Sequence, residues 1–152
     1  MAQSPFGTDL ALDLIDSRAL SIYRVTQGER RTVSSGRGLG VRDFGTVTGR
    51  DNLGQALTVR LLTPKGELTA LGHPDYGSRL HEVIGATNTA STRNLAKLFV
   101  IEALKQERRV EKVVRVDVTP HPVNRFLILI AIEVRPVGEG AVLALGPLLL
   151  EL

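Results

Sequence analysis

The segment that most constrains the fold of this chain is residues 126–134, because it is apolar on both faces of a β-strand. Alternation places two apolar sets on opposite faces: Phe126, Ile128, Ile130, Ile132 and Val134 on one, and Leu127, Leu129 and Ala131 on the other. An antiparallel sheet in a small domain usually leaves one face in water. This strand therefore has to be covered twice, by a helix of its own domain and by a second layer, for which a partner subunit is a candidate.

Residues 92–106 carry the periodicity of an amphipathic helix, and the threonines at 89 and 92 provide its N-cap. Apolar residues recur along one stripe of this helix: Leu95, Ala96, Phe99, Val100, Ala103 and Leu104. Leu98 and Ile101 fall outside the stripe. We therefore expect the helix to be contacted on more than one side, by its own sheet and by a candidate neighbour.

Residues 110–119 alternate in the way that is typical of a half-buried strand. The alternation predicts two faces, with Val114, Val116 and Val118 on one and Arg115 and Asp117 on the other. Prolines at 120 and 122 mark the connection to the apolar strand. Together these segments predict an α+β protein, a small mixed domain in which a long helix packs on an antiparallel sheet.

Residues 51–84 are predicted to contain a helix, a hairpin and a tight turn. Asp51 suits a helix N-cap, and leucines and alanine follow it at helical spacing. Residues 58–62 have strand-like composition, and the Thr-Pro-Lys-Gly sequence at 63–66 suits a turn, so 58–71 is predicted to be a hairpin. Residues 73–77 form a second predicted turn, followed by a short helix from Ser78 or Arg79 to Ile84.

The two ends of the chain differ in composition from residues 51–136, which form the predicted α+β domain. Residues 1–50 are glycine-rich and irregular, so they are predicted to be an N-terminal arm or small subdomain without its own core. Residues 137–152 are an apolar tail interrupted by glycines and Pro147. Two interpretations of the tail stay open: it packs back as an edge strand, or it adds to the sheet of another chain through residues such as Leu143 and Leu145.

The composition argues against several classes of function. The 152 residues contain no cysteine, and the 3 histidines have no ligand-like spacing, so we predict no metal, no cofactor and no catalytic residue. The net charge of +3 comes with few aromatics, none in a basic cluster, so nucleic-acid binding is not expected. The apolar stretches are too short to span a bilayer. Because the first ten residues also lack a signal-peptide pattern, we expect a cytoplasmic protein without a membrane partner.

Carboxylate pairs are the one type of catalytic site that spacing cannot exclude, since the two acids of a glycosidase come from anywhere in a chain. The available acids are Glu67, Asp75, Glu82 and Glu107. Clefts for carbohydrate usually present aromatic faces, yet this chain has no tryptophan and only 2 tyrosines. Each acid is more simply interpreted as a turn, cap or ion-pair residue.

The order of these elements resembles the family of contractile-tail baseplate wedge proteins and sheath initiators (GPW-like), which has also been called lysozyme-like. The resemblance covers residues 51–136. Three motifs carry it: the hairpin sequence at 63–67, the turn Pro74-Asp75-Tyr76-Gly77, and Glu107-Arg108-Arg109 after the long helix. The last is similar to the Glu-Pro-Arg motif of the family. Arg108 stands where the family has proline, which keeps the charges but relaxes the backbone.

The resemblance implies a structural protein of the baseplate in a phage tail or contractile injection system, assembled as a ring of six copies. In the family the acid and arginine hold the core bundle of the wedge together. Glu107, Arg108 and Arg109 are therefore the expected contacts with other wedge proteins, and local capping of the helix is the alternative.

The resemblance also implies that the C-terminal sheet docks the first sheath ring by strand exchange. That role would belong to the face of Phe126, Ile128, Ile130, Ile132 and Val134 and to Leu143 and Leu145 of the tail. Inner tube or hub proteins are further expected partners, and the N-terminal arm is a candidate for gripping the tube, the sheath or another wedge protein. Two rival functions stay open, a peptidoglycan-cleaving baseplate enzyme and a free-standing adaptor unrelated to tails.

Overall fold

The computed structural model describes residues 6–14, 23–25, 27–29 and 42–152. Its strands and helices are, in chain order, β1 (Thr8–Leu10), β2 (Leu12–Leu14), β3 (Tyr23–Val25), β4 (Gln27–Glu29), β5 (Arg42–Phe44), β6 (Thr46–Thr48), α1 (Gly49–Leu62), α2 (Ala90–Lys105), β7 (Val110–Pro120), β8 (Leu127–Pro136) and β9 (Leu143–Glu151). Two 3₁₀ helices, Thr69–Leu71 and Leu80–Val83, lie between α1 and α2. Much of the predicted N-terminal arm, residues 1–5, 15–22, 26 and 30–41, lies outside the described residues.

The described part of the N-terminal arm forms three short antiparallel pairs, β1 with β6, β2 with β3 and β4 with β5. Isolated ribbons of this length are marginal in water. Helix α1 anchors the junction of β1 and β2, because the Gln55 side chain accepts from the Leu12 amide and donates to the Leu10 carbonyl, both at 2.8 Å. Residues 10–12 are therefore docked on the first helix.

Helix α1 runs from Gly49 to Leu62, so the predicted N-cap at Asp51 and the predicted strand at 58–62 are wrong. Thr48 is the N-cap residue, and Asp51 lies in the first turn, where a carboxylate favours the helix dipole. The β-branched residues of this segment favour strands only weakly. Burial decides the outcome, because leucines at 53, 57 and 61 recur every four residues and are fully buried.

Residues 63–78 close a loop in place of the predicted hairpin at 58–71. Its ends are held by backbone hydrogen bonds of 2.8 Å, from Lys65 to Ser78 and from Ser78 to Thr63. Gly77 has φ 106°. A Cβ there would lie 2.5 Å from the Thr63 carbonyl oxygen. Only glycine fits this close approach, which explains the turn sequence at 74–77.

Helix α2 is present close to its predicted range of 92–106, beginning two residues earlier at Ala90 and ending one residue earlier at Lys105. The Thr89 hydroxyl accepts from the Thr92 amide at 3.1 Å, as expected of an N-cap. The buried stripe is Ala96, Phe99, Val100, Ala103 and Leu104. Leu95, predicted inside, is exposed. The short helix predicted after Ser78 is present as the 3₁₀ helix Leu80–Val83.

The three C-terminal strands form one antiparallel sheet in the order β7-β8-β9. The tail therefore packs back as an edge strand in this chain, with Leu143 opposite Val134 and Leu150 opposite Ile128. Strand β7 has a register shift between Val113 and Arg115. The bulge turns Val114 outward, 40% exposed, whereas Val116 is buried, so the prediction that they share a face is wrong.

One hydrophobic core joins both helices to the inner face of this sheet. The fully buried side chains of β8 include Ile128, Ile130, Ile132 and Val134, which belong to one core with leucines of α1 and the buried stripe of α2. The predicted α+β class, with a long helix on an antiparallel sheet, is confirmed. Among the helices that the structure describes, none has the length and apolar character to cross a membrane.

Candidate functional site

Glu107 is the centre of a buried group of charges just beyond the end of α2. Its residue is only 9% exposed, and its amide donates to the Leu104 carbonyl at 3.2 Å. One carboxylate oxygen, Oε1, accepts from Arg109 Nε at 2.8 Å. The other, Oε2, accepts from Arg60 Nη2 at 3.3 Å. Both oxygens are thus bound by cations of the same chain.

Arg60 connects Glu107 to the turn at residues 73–77. It lies in the last turn of α1, and its guanidinium carbon is 4.4 Å from the centre of the Tyr76 ring. This is the geometry of a cation–π contact. The structure therefore brings together two of the predicted motifs, the turn and the charged triplet, through an arginine from a third segment. We call Glu107, Arg109, Arg60 and Tyr76 the Glu107 cluster.

The cluster also contacts the predicted N-terminal arm, at Phe6. The carbonyl of Phe6 accepts from Arg109 Nη1 at 3.2 Å and from the Asn52 side chain at 2.8 Å. The Phe6 residue is itself buried and belongs to the core. A hydrogen bond from a charged donor is worth more than a neutral one, about 1.5–3 kcal/mol against about 1. The predicted N-terminal arm is therefore fixed to the domain at this point.

The charges of the cluster stabilise one another. Burial alone would raise the pKa of Glu107, but the hydrogen bonds and charge of Arg109, with the charge of Arg60, outweigh it and hold the pKa below its usual value. The hydrogen bond to Glu107 raises the pKa of Arg109. Burial raises the pKa of the Tyr76 hydroxyl, against the opposing charge of Arg60. Near neutral pH the cluster therefore contains a carboxylate, two guanidinium groups and a neutral phenol.

An open cleft of about 600 Å³ lies against the cluster, bordered by Arg60, Tyr76, Glu107, Arg108 and the turn residues from Gly72. Pro74 and Asp75 are exposed on its rim. Arg108 is also exposed, and its side chain makes no hydrogen bond or ion pair with the part of the chain that the structure describes. Of the triplet 107–109, the structure turns the first and third side chains inward and leaves the middle one in solvent.

The residues predicted for strand addition divide into three groups. Ile128, Ile130, Ile132 and Val134 are covered by the helices of their own chain. Phe126 precedes β8 and is 52% exposed, with the Arg125 guanidinium 4.9 Å from its ring centre. Leu143 and Leu145 are partly buried against the core. In this chain a partner could meet the backbone edge of the sheet, whereas the inner face is already occupied.

Sequence reasoning missed Arg60, Asn52 and Phe6. No local pattern marks them, because the hydrogen-bond partners lie far apart in sequence, 46 positions for Asn52 and Phe6 and 47 for Arg60 and Glu107. The one available signal was that Glu107 would need cations if buried. The predicted exposed role of Glu107 and Arg109 in binding a partner stays a prediction.

The other acids considered for catalysis are dispersed. Glu67 and Asp75 are exposed, and Glu82 forms an exposed pair with Arg79 at 2.6 Å. That hydrogen bond lowers the pKa of Glu82. Within the described ranges, no group of three metal-binding side chains is found.

Comparison with known proteins gives one informative likeness. No family model matches the chain, and no curated protein matches it. Among solved structures, the chain is similar to a protein of Geobacter sulfurreducens described as a candidate tail lysozyme. The two share 25% identity over 62% of this chain and 84% of the other, with a TM-score of 0.54. The chain is therefore similar to a tail protein in fold and, less closely, in sequence.

Proposed function

We propose that this chain is a structural baseplate component of a phage tail or contractile injection system, which joins the wedge core bundle and starts sheath assembly by strand addition. The observation that carries the proposal is the outer edge of β9, which no described strand pairs. An edge strand offers unpaired backbone donors and acceptors to an incoming chain. The likeness to a tail protein supports the same setting.

Strand addition would take place along two parts of β9. Pro147 has no amide hydrogen to donate, and the register of β9 against β8 shifts between the pairs of Ile130 and Ile132. Residues 143–145 and 148–151 therefore provide the regular pairing on either side. The closed inner face makes the sheet a rigid template, which reduces the entropy lost when the sheath strand binds.

Contact with other wedge proteins would use the cleft beside the Glu107 cluster. Because Glu107 is neutralised within the chain, we assign it a positioning role: it fixes Arg109 and, through Arg60, the Tyr76 turn. Arg108 has no such partner among the described residues and would make the direct contact, with Pro74 and Asp75 beside it. A ring of six copies, and contacts to inner tube or hub proteins, follow from the family resemblance alone.

Site-specific crosslinking tests strand addition directly, because a chain without cysteine has no background labelling. Ala144→Cys places a thiol at an exposed position of β9, and Ala70→Cys places one at an exposed position of the 3₁₀ helix Thr69–Leu71. Both would carry a photoreactive maleimide during assembly with tube and sheath proteins. We expect sheath adducts from position 144 and none from position 70. Full-length sheaths without any adduct at 144 would contradict the proposal.

A peptidoglycan-cleaving enzyme is the second candidate, and the description of the Geobacter neighbour favours it. A glycosidase needs one carboxylic acid whose pKa is raised, so that it can donate a proton. Glu107, the buried acid among the residues whose burial the structure describes, has its pKa lowered by two arginines, which argues against that role. A turbidity assay on purified cell wall separates the candidates: clearing that is abolished by Glu107→Gln would replace the structural proposal with the enzymatic one.

A further inference from the structure

A second groove lies between α2 and the outer edge of β7, on the opposite edge of the sheet from β9. It encloses about 550 Å³. Its lining includes Lys97, Ile101 and Lys105 from the helix and Lys112 and Val114 from the strand. We call it the α2–β7 groove. It contains the face of α2 that lies outside the buried stripe.

The charge of the α2–β7 groove is strongly one-sided. Three of the four lysines of the chain border it, joined by Arg115, and Glu111 is the single acid in its lining. Arg115 pairs with Asp117 at 2.5 Å. No ion pair joins the three lysines to any residue that the structure describes. Unlike the arginines of the Glu107 cluster, these three lysines are not paired with an acid among the described residues.

Exposed apolar surface accompanies these charges. Leu98 is 62% exposed on α2, one turn from Ile101, and Val114 is turned outward by the bulge in β7. A helix face that serves only solubility would carry polar residues at these positions. Exposed apolar side chains on the same two elements as unpaired lysines are instead typical of a surface that binds a partner with apolar and acidic groups.

The backbone of β7 identifies the form of that partner. No described strand pairs with its outer edge, and its register against β8 is regular from Arg115 to Pro120. A groove between a helix and a free strand edge accepts an extended peptide, which adds as a further strand while alternate side chains enter the groove. The β9 edge is different, because the charged side chain of that strand is the acidic Glu151.

We propose that the α2–β7 groove binds an extended acidic segment of a partner protein, which adds as a strand along β7 with its carboxylates beside Lys97, Lys105 and Lys112. This inference concerns a surface apart from the β9 edge and does not depend on the proposed function. Nucleic acid fits less well, because the lining of the groove has no aromatic side chains on which bases could stack.

Fluorescence anisotropy with the full chain tests this proposal. The probe is a labelled ten-residue peptide that alternates valine and glutamate, with a valine–lysine peptide and a proline-interrupted acidic peptide as controls. We expect the acidic peptide alone to bind, and more weakly at high salt. Lys112→Glu should weaken its binding about tenfold, whereas the matched reversal Arg125→Glu, on the loop before β8, should leave it unchanged.

Amide shifts in ¹⁵N-labelled protein locate the bound peptide. We expect the largest changes along β7 from Arg115 to Thr119 and small changes along β9. Four results would overturn the proposal: no binding of the acidic peptide, equal binding of the acidic and basic peptides, undiminished binding of the proline peptide, or shifts confined to β9. Tighter binding of a single-stranded oligonucleotide would assign the groove to nucleic acid instead.

Discussion

The Glu107 cluster and the α2–β7 groove differ in what their charged groups contact. In the cluster, a carboxylate that is almost fully buried meets two arginines and ties together α1, the turn at 73–77 and the start of the chain. In the groove, three lysines form no ion pair with any residue that the structure describes. Charge that is matched inside the chain holds its geometry, whereas unmatched charge at the surface is available to a partner.

The largest effect is expected from removing the anion of the cluster. Glu107→Ala leaves Arg60 and Arg109 partly buried without a counter-charge, which should cost about 3 kcal/mol of unfolding free energy. Glu102→Ala is the matched control, because Glu102 forms a more exposed pair with Lys65 at 2.7 Å. Urea denaturation measures both. Equal losses in the two variants would contradict the distinction between matched buried charge and surface charge.

The next effect tests the turn that presents Tyr76 to Arg60. In Gly77→Ala, the alanine would have to adopt the positive φ of Gly77, and its methyl group would press against the Thr63 carbonyl. We therefore expect the free energy of unfolding to fall by about 2 kcal/mol. Gly72→Ala is the control: Gly72 also has positive φ, but no atom lies within 4 Å of its added Cβ. Thermal unfolding followed by circular dichroism compares them. A smaller loss at position 77 than at position 72 would show that the turn is not tightly packed.

A smaller effect appears in acid. The pKa of Glu107 is lower in the folded chain than the unfolded value of about 4.3, so its contribution is fully present above that pH and is lost as the pH falls through the folded pKa. The stability difference between the wild type and Glu107→Gln should therefore narrow below about pH 4.3. Urea titrations from neutral to acidic pH measure the difference. A gap that stays constant with pH would mean that the carboxylate charge contributes nothing.

How far the sequence predicts this molecule depends on the range of the interaction concerned. Helix α2, its threonine cap and the strands β7 and β8 follow from local periodicity, and all are confirmed. The prediction of a strand at 58–62 is wrong because the segment is part of α1, where the burial of three leucines outweighs the weak β-propensity of residues 58–62. The prediction for Val114 is wrong because the bulge that exposes it depends on how β7 pairs with β8, and the alternating sequence of β7 does not indicate that bulge.

The Glu107 cluster is harder to predict, because its members come from three separate segments. The turn at 74–77 and the triplet at 107–109 could be recognised as motifs. These two motifs are brought together by Arg60, which contacts Tyr76 of the turn and Glu107 of the triplet. Glu107 lies 47 positions from Arg60 in sequence. Without that contact, Glu107 reads as a surface acid. The α2–β7 groove could not be predicted for the same reason, since Lys112 comes close to the lysines of α2 only when the helix packs beside β7.

The smallest effect concerns the surface pair Lys65–Glu102. Their side chains are 29% and 43% exposed, so water screens the attraction and two long side chains lose freedom to form it. A double-mutant cycle to alanine should give a coupling of about 0.5 kcal/mol or less, falling further in high salt. The corresponding cycle between Arg60 and Glu107 should give a clearly larger and less salt-sensitive value, because both side chains are mostly buried. Couplings of equal size and equal salt dependence would mean that burial does not separate these two kinds of charge.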